Sequence, residues 1–185
     1  MFFKRIIHVL FLLLISVFII SCNNNDKNTQ VHKPKPTDYG QKLINANVHL
    51  THTEDELIED YILRYKWNMT KTNSGLRYFI YKKGNGKGKG VDKKSRVKIN
   101  FKTNLINGKM IYSSDIECPK VFNIGKGEVE KGLEEGILLL KVGDKAKFII
   151  PSHLGFGLLG DEKNIPSKAT LIYDVELVEI SKQIK

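Results

Sequence analysis

The sequence predicts an α+β fold: a curved antiparallel β-sheet wrapped around one short helix and preceded by a separate amphipathic helix. Three observations lead there. Apolar residues recur every three to four positions as far as Met69 and every second position after Gly75, the change of period that separates helix from strand. The alternating runs are short, and hairpin chemistry joins them, most plainly at Asn107-Gly108. Only one stretch among them, residues 132–140, reads as helix, so the strands have one another and that helix to pack against.

Taken in order, residues 6–20 are apolar apart from His8 and Ser16, follow Lys4-Arg5 and lead into Ser21-Cys22. Such a run is short of the roughly 20 residues that span a bilayer as a helix. It has the basic start and apolar core of a signal peptide. Ile19-Ile20-Ser21-Cys22 resembles a bacterial lipobox, which implies that residues 1–21 are removed and that Cys22 carries the acyl chains. Two or more chains make a stable membrane anchor, in the cell envelope. Residues 22–50 are expected to be a polar tether, since 23–39 hold almost no apolar side chain and two prolines. Residues 51–71 are expected to be the amphipathic helix. There Thr53-x-x-Glu56 has the form of a capping box, and Leu57, Ile58, Tyr61, Ile62, Tyr65 and Met69 make one stripe. That stripe packs on the following domain or on a second copy of the chain, giving a homodimer through residues 53–69; the sequence leaves both open.

Residues 72–185 form the domain. Strands are expected at 76–81, 97–105, 110–113, 120–124, 145–151 and 171–180, with the helix closed by Gly143. Gly84, Gly86, Gly88 and Gly90 read as a flexible connection; they lack the Lys-Ser/Thr ending of a phosphate loop and precede no helix. Between the last two strands lies a loop, 152–170, of a length that in a compact domain is usually functional.

Composition narrows the function. With 185 residues, 27% charged and 41% hydrophobic, the chain is neither disordered nor collagen-like. The net charge of +10 is concentrated between Lys82 and Lys102, where nine basic residues face Asp92 alone. A nucleic-acid surface would add stacking aromatics there, and an exported chain meets little nucleic acid, so no such partner is expected. Once Cys22 is acylated only Cys118 remains, leaving no disulfide within the chain. The five histidines are scattered, and the His49-x-x-His52 pair has no third histidine or cysteine near it, so no metal and no cofactor is expected.

Several segments resemble the FKBP family of peptidyl-prolyl isomerases: Ser74-Gly75-Leu76-Arg77-Tyr78, Asn107-Gly108-Lys109 with Ser113-Ser114, Phe122-x-Ile124-Gly125, and Val129-x-Lys131-Gly132-Leu133-Glu134-Glu135-Gly136. Val142-Gly143-Asp144-Lys145-Ala146, Gly155-Phe156-Gly157, Ile165-Pro166 and the run from Ala169 to Leu177 continue it. An amphipathic helix ahead of such a domain on a lipoprotein is also similar to the gliding-motility-associated FKBP lipoproteins of the Bacteroidota. The resemblance implies an FKBP-like fold and proline-containing protein substrates.

That chemistry needs neither nucleophile nor cofactor. Rotation about the peptide bond crosses a barrier of about 18–20 kcal/mol maintained by amide resonance, and an enzyme lowers it by binding the twisted amide best. A pocket for this has apolar walls, one or two donors and a lid. Phe101, Phe122, Val129, Leu133, Phe156, Ile165 and Tyr173 suit such walls by residue type, though each alone suits a core as well. The resemblance assigns Phe101, Tyr112 and Phe156 to catalysis and Ile111, Phe122, Val129, Glu130, Leu133, Ile165 and Tyr173 to substrate binding, Glu130 through its backbone N–H. Phe101 and Phe156 replace family tyrosines and Leu133 a tryptophan. Ile111-Tyr112 replaces a Phe-Asp pair, so the carboxylate near the bound carbonyl is expected to be absent. Lys120 stands where an aromatic residue closes one side. These departures support a rival reading, a non-catalytic binding module of the same fold, while the intact remainder of the pattern supports the reading adopted, a membrane-anchored peptidyl-prolyl cis-trans isomerase.

Overall fold

The computed structural model describes residues 38–85 and 90–182, and its main compact unit begins at Asn45. Cys22 and residues 1–21 lie outside the described residues, as do residues 86–89 of the glycine-rich connection. Helix α1 spans Asp38–Tyr65. It starts well before residue 51, so the tether expected over 22–50 is helical in its last part. Pro36 is the last proline ahead of it, and Gly40 is the one glycine within it, so no strong helix breaker lies between Gln41 and Thr53. Thr53 therefore sits in the helix interior. Its hydroxyl donates to the His49 carbonyl at 3.0 Å, the bond an interior threonine makes, and caps nothing.

The remaining elements are β1 (Thr70–Lys71), β2 (Arg77–Lys82), β3 (Ser95–Leu105), β4 (Met110–Ser113), α2 (Ser114–Glu117), β5 (Lys120–Asn123), α3 (Lys131–Ile137), β6 (Lys145–Ile150) and β7 (Leu171–Lys182). The strands form a single antiparallel sheet ordered β1-β2-β6-β7-β3-β4, with β5 also on β3. This is the predicted fold class. The two-residue β1 and four-residue α2 carry no periodic signal and were not predicted; α3 ends at Ile137, short of 140.

Strand alternation divides the core in two. Val97, Ile99 and Phe101 of β3, Phe148 and Ile150 of β6, and Tyr173, Val175 and Leu177 of β7 share one face with Leu133 and Ile137 of α3. The helix lies close on that face because Gly132 and Gly136, one turn apart, leave room: a Cβ there would stand 2.5 Å from Ile150 and 2.6 Å from Phe148. The opposite face offers Ile149 and Ile172 to Ile58, Tyr61 and Ile62 of α1. Within this chain the α1 stripe thus packs on the domain's own sheet. Arg77, 1% exposed, ties the same helix to β2 through Asp55 and Glu59, both at 2.9 Å, and also donates to the Gly75 carbonyl of its own turn at 2.7 Å.

Candidate functional site

Sheet register aligns Tyr112, Thr103, Tyr173 and Phe148 in one row across β4, β3, β7 and β6. Phe101, two residues before Thr103 and so on the same face, has its ring 6.4 Å from that of Tyr173. Phe122 from β5, Leu133 from α3 and Ile165 from the 152–170 loop join them, and all five are buried. Ile111, Tyr112, Val129 and Phe156 are half-buried and pack against the same cluster, which therefore reaches the surface along them. The apolar side chains picked out in the sequence thus all belong to the domain's one core cluster, five of them buried in it and the others half-buried against it.

Polar groups frame the cluster. Ser113 caps α2, accepting from the Asp115 N–H at 3.2 Å. Ser114 Oγ accepts the Phe101 N–H at 3.0 Å, filling the gap between β4 and β5 on the β3 edge. Position 112 carries no carboxylate of its own; the Tyr112 hydroxyl donates to Asp161 Oδ2 of the loop. Oδ1 of Asp161 accepts the N–H groups of Lys163, Asn164 and Ile165 at 2.9, 2.8 and 2.7 Å. Partial burial alone would raise the Asp161 pKa; the Tyr112 hydroxyl and these three amides outweigh it and bring it down to about 2. Lys120, which stands where the family has an aromatic residue, sets its ammonium 5.4 Å from the centre of the Phe101 ring, a cation–π contact.

Glu130, at the N-cap of α3, turns its side chain inward, and Oε1 accepts the Tyr173 hydroxyl at 2.9 Å. Burial first, then the Glu130 charge, holds the Tyr173 pKa well above its ordinary value, so the phenol keeps its proton. The hydroxyls of Tyr112 and Tyr173 are thus both committed to carboxylates, and Phe101 and Phe156 have none. Among these residues the donor left for a bound carbonyl is the Glu130 N–H, which the first turn of a helix leaves without an internal partner.

Residues 87–178 match the family of FKBP-type peptidyl-prolyl cis-trans isomerases. The chain carries an FKBP-type isomerase domain. It is 44% identical over 87 residues to FK506-binding protein 2 of Dictyostelium discoideum, covering 46% of this chain and 65% of that protein. It is 36% identical over 110 residues to a probable FKBP-type peptidyl-prolyl cis-trans isomerase of Haemophilus influenzae, covering 60% of this chain and 44% of that protein. The crystal structure of FkpA from Escherichia coli superposes with a TM-score of 0.62 at 28% identity, over 77% of this chain and 64% of that one. The chain therefore spans less than two thirds of each of these relatives.

The FKBP domain also explains its own motif residues. Glu134 accepts the Gly125 N–H at 2.9 Å, and Glu135 accepts the Ser74 hydroxyl at 2.7 and 2.8 Å, so the two acids of Leu133-Glu134-Glu135 tie α3 to the β5 turn and to the approach of β2. Asp161 and the inward carboxylate of Glu130 were missed in the sequence. A signal existed for the first, an aspartate two to four residues before backbone amides it can bond, as in an Asx turn. The second had none.

Proposed function

We propose that this protein is a peptidyl-prolyl cis-trans isomerase that binds X–Pro segments of protein substrates. The observation that carries the proposal is that Phe101, Phe122, Leu133, Ile165 and Tyr173 share one apolar cluster, with Ile111, Val129 and Phe156 half-buried against it, in a chain whose residues 87–178 match the FKBP-type isomerase family. The apolar walls receive the proline ring and exclude water, the Glu130 N–H meets a substrate carbonyl, and the 152–170 loop covers the site. An amide twisted out of conjugation is less polar than a planar one, so such surroundings favour it, and no proton need be transferred. The full chain should accelerate isomerisation of an Xaa-Pro peptide, and Phe156→Ala should lower kcat/KM about tenfold, the loss of one apolar wall. A wild-type rate no higher than that of the variant would sink the enzyme.

A second reading, a non-catalytic binding module, has an observation of its own. Beside the site runs a groove of about 610 Å³ whose apolar lining includes Leu50 and Leu57 of α1 with Leu105, Leu158, Pro166 and Ala169. It suits an extended apolar segment, and a chain that binds such segments without turnover in the same assay is this module.

The place of action rests on residues 19–22. We infer that Cys22 is acylated and that the domain works on envelope proteins, those of a gliding machine among them, as the lipobox and the order of lipobox, helix and domain suggest. Mass spectrometry of the native N-terminus should find acylated Cys22; an unmodified chain would remove both the anchor and the envelope role.

A further inference from the structure

The 152–170 loop carries Phe156 and Ile165, leaves the sheet at the end of β6 and rejoins it at the start of β7, where Ile150 and Leu171 are ladder partners. Its two ends are joined by one carboxylate that lies outside the matched domain. Glu54 of α1 accepts the Ser152 N–H at 2.7 Å and the Thr170 hydroxyl at 2.6 Å on Oε1, and the Ser152 hydroxyl at 2.8 Å on Oε2. All three bonds are short and charge-assisted, the stronger class of hydrogen bond. Each meets a need. Ser152 opens a 3-10 turn whose first amides have no partner within it, and Thr170 is 6% exposed, so its hydroxyl must be satisfied inside the protein.

The loop passes this constraint inward. The Gly157 N–H donates to the Ser152 carbonyl at 2.8 Å and the Lys168 N–H to the Gly157 carbonyl at 2.8 Å, so the segment is a narrow-necked ring with Phe156 at the neck. On the other side Glu54 is held in place by α1 itself, which buries Ile58 one turn further on and pairs Asp55 and Glu59 with Arg77. An unbroken series of contacts runs from the sheet through α1 and Glu54 to both ends of the loop.

We propose that Glu54 is a positioning residue: through it, α1 fixes the ends of the 152–170 loop and so sets Phe156 and Ile165 against Phe101 and Tyr173. The amphipathic helix is then part of the scaffold of the site as well as a link to the N-terminus. The proposal rests on the isomerase reading for its consequence in catalysis, and its test separates the two.

In the full chain, Glu54→Ala should raise KM for an Xaa-Pro peptide about tenfold while kcat changes less than about twofold, because a displaced wall weakens binding more than it alters rotation. Leu63→Ala, an exposed change on the same helix, should leave both at the wild-type value. Hydrogen exchange of the amides at 153–169 in Glu54→Ala should quicken at least about tenfold while those of β6 and β7 stay as slow as before. An unchanged KM in an active enzyme would overturn the proposal, and so would exchange that is unchanged or faster everywhere alike. Should the wild-type chain show no turnover, the isomerase reading falls alone, and the exchange pattern still decides whether Glu54 positions the loop.

Discussion

Replacing Asp161 with alanine is expected to free the tip of the 152–170 loop and to lower kcat/KM for an Xaa-Pro peptide by about tenfold to a hundredfold, equivalent to about 1.4–2.7 kcal/mol. Four hydrogen bonds converge on this one carboxylate, three from loop amides and one from Tyr112. Without it the amides of 163–165 lose the acceptor that curls them, and the Tyr112 hydroxyl loses its hydrogen-bond acceptor. Ile165, 3% exposed, is the side chain this curl delivers to the floor of the site. Gly160 makes the curl possible: it sits at φ +74°, and a Cβ there would lie 2.1 Å from the Ile165 carbonyl oxygen. Tyr112→Phe should have a smaller effect in the same direction. The double variant should be no worse than Asp161→Ala, because the pair acts as one unit; full additivity would show that Tyr112 works separately.

The same pair predicts an acid dependence. Asp161 has a folded-state pKa of about 2 against an ordinary 3.8. A depressed carboxylate pKa contributes stability that is complete above the unfolded value and is lost as pH falls through the folded one. Loop protection from hydrogen exchange should therefore hold at pH 5 and decline from about pH 4 toward pH 2, and Asp161→Asn should remove that decline.

Arg77→Ala is expected to be strongly destabilising, costing about 2–3 kcal/mol through lost packing and buried hydrogen bonds, since the carboxylates it leaves are partly exposed. The guanidinium is buried and meets two carboxylates and a carbonyl. Its removal leaves the Gly75 carbonyl without its donor, sets Asp55 and Glu59 side by side with Lys71 as the remaining ion-pair partner, and opens a cavity under α1. Urea denaturation should show a lower midpoint with an unchanged slope. A loss below about 1 kcal/mol would mean that the attachment of α1 adds little to the fold.

How much of this was legible beforehand depends on the range over which each effect acts. The strands from Arg77 to Leu177 follow from period-two alternation and from turns such as Asn107-Gly108, signals spread over a few residues. The start of α1 at Asp38 was not legible, because Thr53 and Glu56 imitate a helix start and a threonine in a helix interior uses the same hydroxyl. Phe101, Phe122, Leu133 and Tyr173 were legible as apolar residues, and their meeting followed from the family pattern, since one buried aromatic side chain looks like another. The substitution of Tyr112 for an acid was legible. The hydrogen bond of its hydroxyl to Asp161 was not, because only the loop brings the two together.

The sequence by itself determined the longer strands, the short helix and their order, because propensity, turn chemistry and hydrophobic period are properties of neighbouring residues. The tertiary structure alone decided where the charges go. Glu54 meets Ser152 and Thr170 across 98 and 116 residues of chain, Arg77 meets Glu59 across 18, and Tyr112 meets Asp161 across 49. Such pairings come from the packing of a helix on a sheet and the curl of a loop. A hydrogen bond depends on positions within a few tenths of an ångström, which no local pattern of residue types encodes.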